Sequence, residues 1–124
     1  MAINPELTGG NRMIHESQAE LWKLLEEFDS AVSNLAKDPT LVEAQCRVCL
    51  SSRSAYTEFF AVSELEVGVD QTVAEKLRIL FSAALKHLPN DCIYFESVRE
   101  RFSEFEEYVN ELAKRPEFDT AVFQ

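Results

Sequence analysis

Apolar residues recur along this chain at three- and four-residue steps with few turn-formers between them, the pattern of amphipathic helices. The longest uninterrupted stretch, 40–65, reads TLVEAQCRVCLSSRSAYTEFFAVSEL and holds neither Gly nor Pro. Wrapped at about 100° per residue, Leu41, Val42, Ala44, Val48, Cys49, Ala55, Tyr56, Phe59, Phe60 and Val62 fall in an arc of roughly 160°. Glu43, Arg47, Arg53, Thr57, Glu58 and Glu64 fall on the other side. A face that wide exceeds what one neighbour covers, so this helix is expected to touch two or three others and to be the most buried element. Ser52 lies near the middle of the face and leaves room for a close approach. Gln45 lies there too, and a buried amide requires hydrogen-bond partners.

The remaining pattern supplies three more helices. Residues 1–14, with Asn4-Pro5 and Gly9-Gly10-Asn11, are expected to be a flexible arm. Ser17 and Glu20 form a capping-box pair ahead of Leu21, Leu24, Leu25, Phe28, Ala31, Val32 and Leu35, which predicts a helix over 17–37. Trp22 sits beside that stripe. Asp38-Pro39 stops this helix and starts the next over 40–65, with Asp38 as its cap and the two helices antiparallel. Gly68 between Val67 and Val69 breaks the pattern. Thr72 and Glu75 open a third helix, 72–88, with Val73, Leu77, Leu80, Phe81, Ala84 and Leu88 as its stripe. Pro89-Asn90-Asp91 leads into a fourth, 91–115, carrying Tyr94, Phe95, Val98, Phe102, Phe105, Val109 and Leu112 and ending on basic residues that suit the helix dipole. Pro116 ends it. The expected fold is all-α, one domain over 1–124: a four-helix up-down-up-down bundle with a flexible N-terminal arm and a short apolar C-terminal tail, 116–124.

Composition narrows the function classes. With 46% hydrophobic and 27% charged residues the chain is globular, and 3 Gly and 4 Pro are too few for a many-turned β-sandwich. Acidic residues outnumber basic ones 22 to 12, a formal charge of −10. That charge repels phosphate backbones and anionic lipid, so direct nucleic-acid and membrane binding are disfavoured and a basic protein surface is the expected partner. No apolar run is long enough to span a membrane, and the first residues lack a basic region followed by an apolar one. Three cysteines, an odd number, fit a reducing compartment, and the protein is expected to be cytoplasmic.

Candidate chemistry is sparse. Cys46-Arg-Val-Cys49, with Cys92 and His87, offers thiolates and an imidazole of the kind zinc takes. Both members of the pair fall mid-helix, however, about 60° apart around the axis, whereas zinc ribbons use turns. These cysteines are therefore expected to be small structural hydrophobes, with no metal and no cofactor; a metal- or redox-active bundle using Cys46, Cys49 and Cys92 is the alternative. No base is placed near Ser51, Ser52 or Ser54, neither His15 nor His87 follows a Glu at di-iron spacing, and no catalytic residue is expected.

The fourth helix carries the feature with most functional content. Glu96, Glu100, Glu104, Glu107 and Glu111 step by four, four, three and four residues and so form one stripe opposite the aromatic face. Like charges at this spacing oppose one another, and Arg99 and Arg101 on the flanks relieve only part of it. The stripe is expected to dock on a basic partner, making the protein a small binding module, an adaptor or inhibitor rather than an enzyme. A nucleic-acid mimic filling a basic groove is a mechanistic variant. Glu106, Glu26, Glu27 and Asp29 would widen the stripe if the first and fourth helices were neighbours. Phe118, Val122 and Phe123 in the tail, with Tyr56, Phe60 and Phe95, supply apolar surface in excess of one bundle, so Phe118 and Phe123 join the expected partner-binding residues and a homodimer is possible.

Overall fold

The computed structural model describes the backbone of residues 9–65 and 71–114, and side chains within 19–64 and 71–114. Four helices form the expected all-α bundle: α1 (Gly9–Lys37), α2 (Val42–Leu65), α3 (Gln71–His87) and α4 (Phe95–Lys114). The link around Gly68 and the apolar tail with Phe118, Val122 and Phe123 lie outside the described residues.

The centre is built from one phenylalanine per helix. Phe28, Phe59, Phe81 and Phe105 are all fully buried. Phe28 meets Phe81 edge-on with ring centroids 5.5 Å apart, Phe81 meets Phe105 at 5.6 Å, and Phe105 meets Phe59 at 5.4 Å. Phe102 adds a stacked contact on Phe81 at 5.3 Å. Ring pairs in these geometries add to the burial of their area. Around them lie the predicted stripes: Leu21, Leu25, Val32 and Leu35 of α1, Val73, Leu77, Leu80 and Ala84 of α3, and Val98 and Leu112 of α4.

Side-chain pairs fix how α2 and α4 run. Arg101 reaches Cys49 and Ser52, Phe105 packs on Tyr56 and Phe59, and Tyr108 packs on Phe60 and bonds Glu64. Residue numbers rise together along both helices, so the two run parallel, as an up-down-up-down course requires. They are also adjacent. α1 packs most extensively on α2 and next on α3, while α4 packs on α3 and α2. The order around the bundle is therefore α1, α2, α4, α3, and α1 lies across from α4 with little contact. α2 touches all three other helices, as its wide apolar face demands.

Several boundaries depart from the sequence pattern. α1 begins at Gly9, so residues 9–14 of the expected arm are helical and Ser17 stands inside the helix. A capping pair marks a start only if the chain before it leaves the helix, and Arg12-Met13-Ile14-His15-Glu16 contains no breaker. Asp38 does not cap α2: its carboxylate accepts from the Thr40 hydroxyl at 3.1 Å and its carbonyl accepts from the Leu41 amide at 3.1 Å, forming a turn ahead of Val42. Buried Gln45 closes that turn by donating its side-chain amide to the Pro39 carbonyl at 2.8 Å. α4 begins at Phe95 rather than 91, because the Cys92 amide bonds the Pro89 carbonyl and the Phe95 amide bonds the Cys92 carbonyl, two short turns in succession. On α2 itself, Leu41, Val42 and Phe60 are exposed although the helical wheel placed them on the buried face. Val42 and Phe60 share one margin of that face, and Leu41 lies in the turn ahead of the helix.

Candidate functional site: the acidic ridge of α4

α4 presents two faces because its aromatics and its glutamates recur at the same helical spacing half a turn apart. Val98, Phe105 and Leu112 are buried, whereas Glu96, Glu100, Glu104, Glu107 and Glu111 are all exposed. Glu96 pairs with Arg99, which holds that guanidinium's pKa above its ordinary range. Glu111 pairs with Lys114 at 3.9 Å. Among the described residues Glu100, Glu104 and Glu107, the middle of the ridge, form no ion pair.

The reason lies in Arg101. The sequence places it on the flank of the ridge, where it would offset the glutamates, but the side chain turns the other way. Its guanidinium donates to the Ser52 hydroxyl at 2.9 Å and the Cys49 carbonyl at 3.3 Å, with the Cys49 sulfur at 4.0 Å. Ser52 is fully buried and donates its own proton to the Cys49 carbonyl at 2.9 Å. The serine whose small size suggested a close helix approach is thus the receiving end of a polar clamp between α2 and α4. One consequence is that the central carboxylates keep their field. Tyr56, across on α2, titrates above its ordinary value of 10.0, chiefly because burial disfavours the phenolate and additionally because the Glu104 carboxylate repels it.

The ridge does not extend onto α1. Because α1 and α4 are on opposite sides of the bundle, Glu26, Glu27 and Asp29 belong to another surface, and Asp29 pairs with Lys76 of α3 at 3.1 Å. Glu106, on α4 itself, is half-buried. At its C-terminal end the ridge meets aromatic surface instead. Tyr108 donates to the Glu64 carboxylate and packs against Phe60, ring centroids 4.8 Å apart, and Phe60 is 44% exposed. Tyr108 shares a shallow depression with Glu104, Glu107 and Glu111. Neither aromatic was legible as part of the ridge. Phe60 reads as core from its spacing, and Tyr108 falls between the apolar stripe and the glutamates.

The cysteines lie toward the start of α4, with Cys49 against Arg101. Cys49 is buried, while Cys46 and Cys92 are half-buried and all three are free thiols. Tyr94 titrates above its ordinary value, first through its hydrogen bond with Cys46 and then through repulsion by the Cys46 thiolate. Among the described residues no group of three or more His, Cys, Asp or Glu side chains is arranged to hold a metal ion. Nor, among those residues, is any helix long and apolar enough to cross a membrane.

Fold and surface together define a four-helix bundle with a carboxylate ridge and an aromatic corner along one edge. No protein-family model, no curated protein and no solved structure matches the chain.

Proposed function

We propose that the protein is a small acidic adaptor or inhibitor that acts by binding another protein, with the α4 ridge docking on a basic surface of that partner. The observation that supports this reading most is the inward turn of Arg101, with Glu100, Glu104 and Glu107 forming no ion pair among the described residues. A merely solvated helix face gains from alternating charge signs, and here one of the two flanking arginines is committed to α2 while the other pairs with Glu96 at the end of the ridge. The carboxylates would steer the encounter, and the Phe60–Tyr108 corner would supply the apolar contact that slows departure. Three free thiols suit action in a reducing compartment such as the cytoplasm.

Affinity capture from extract supplies the partner, and surface plasmon resonance then tests the ridge. Reversing Glu100, Glu104 and Glu107 to Lys should lower the association rate at least tenfold at low salt and leave the dissociation rate within a few-fold, since exposed charges act mainly on the encounter. Wild-type association should slow as salt rises, the screening length falling from about 10 Å at 0.1 M to about 3 Å at 1 M. A reversed variant that associates like wild type at both ionic strengths would remove the ridge from the interface.

A further inference from the structure

Among the described residues, apolar side chains near the start of α2 form a row on its surface. Val42 (62% exposed), half-buried Cys46 and Leu50 (52% exposed) follow one another at four-residue steps on the outward side of the helix. With Tyr94 from the segment before α4 they line one surface groove, bordered by Glu43, Arg47, Ser51 and Ser54 of α2 and by Glu27 of α1. The first half of α2 thus carries a short apolar row outside its core-facing side. Isolated surface hydrophobes are ordinary; a continuous stripe on a helix is a feature of an interface.

We propose that this stripe is the contact between two copies of the chain, packed α2 against α2 about a two-fold axis through Cys46. The stripe is self-complementary in shape: a small residue stands at the middle with a larger apolar one a turn away on either side. Antiparallel packing therefore sets Val42 of each copy against Leu50 of the other and lets the helices approach closely at the cysteines. It is self-complementary in charge as well. Glu43 and Arg47 border the stripe on the same flank and pair weakly within the chain at 4.0 Å, both well exposed. The two-fold brings Arg47 of one copy to Glu43 of the other, twice over, as an isologous contact demands. On a body of charge −10, this flank offers a second copy a cation as well as an anion, while the α4 ridge repels it. The proposal is independent of the ridge's function.

Light scattering coupled to gel filtration, run over a concentration series, tests it. The wild-type chain should approach twice its monomer mass at high concentration and fall toward the monomer on dilution. Leu50→Glu should remain monomeric at the top of the series, while Ile79→Glu, which adds the same charge at an exposed residue on α3, should behave like wild type. Circular dichroism establishes that each variant is folded. Arg47→Glu should weaken the dimer at least tenfold, and adding Glu43→Arg to it should restore most of the loss. A wild-type monomer throughout overturns the proposal. So does a dimer that survives Leu50→Glu, or a double variant no tighter than Arg47→Glu.

Discussion

Arg101 shows how far a residue's function can lie from its helical position. Periodicity locates a Cβ, whereas a guanidinium sits several bonds away and takes whichever acceptors it reaches. Here it reaches a buried hydroxyl and a mid-helix carbonyl of α2, and hydrogen bonds from a charged group are worth about 1.5–3 kcal/mol. Arg101→Ala should therefore lower unfolding stability by about 1–3 kcal/mol in urea, and Ser52→Ala by less, because Ser52 is only one of the acceptors. Equal stability in wild type and Arg101→Ala would mean the clamp is incidental. Tyr56 gives a second test at this scale. Its folded pKa lies above the unfolded one, so the protonated phenol favours the fold. That contribution is complete below pH 10, the ordinary tyrosine value, and is lost as pH rises through the folded pKa. Tyr56→Phe should flatten the alkaline fall in stability. Glu104→Lys should move the Tyr56 titration downward, read as tyrosinate absorbance against the Tyr56→Phe background. An unmoved titration would show that Glu104 does not act on the phenol.

At the scale of elements, the interior was legible and the ends were not. The stripes of α1, α3 and α4 followed from spacing because burial acts on every third or fourth residue and leaves a strong period. Helix starts depend instead on a few hydrogen bonds, and the Asp38, Pro89 and Cys92 turns satisfy backbone groups in ways no local pattern announces. The expected breadth of α2 was right in kind, since it meets three neighbours, yet Val42 and Phe60 at one margin face outward. The ridge could be read from sequence because five glutamates at helical spacing need only a helix to align them. Its neighbours could not, for they depend on helix order, which put α2 rather than α1 beside α4. The same order explains what holds α2 in place. Phe59 is fully buried against Phe105 and Tyr108, so Phe59→Ala should cost about 3–5 kcal/mol in chemical denaturation, whereas half-buried Glu58→Ala should cost well under about 1 kcal/mol. Similar losses for the two would mean that the inner face of α2 is misassigned.

For the molecule as a whole, one charge distribution bears on stability and on the proposed encounter in opposite directions. A formal charge of −10 on 124 residues opposes compaction, most of all along α4, where Glu100, Glu104 and Glu107 lack paired cations. The ion pairs present do little to offset this, because Asp29–Lys76, Glu43–Arg47 and Glu111–Lys114 are all substantially exposed, and exposed pairs contribute about 0–1 kcal/mol. Salt should therefore raise the melting temperature as it screens self-repulsion, in the range where it slows association with a basic partner. Reversing Glu100, Glu104 and Glu107 to Lys should leave the low-salt melting temperature unchanged or raise it by a few degrees, and should shrink its rise with salt. Calorimetry on the two proteins from low to moderate sodium chloride measures both effects. A variant that melts well below wild type at low salt would mean that the ridge stabilises the fold through contacts of its own, and the case for leaving those carboxylates to a partner would fail with it.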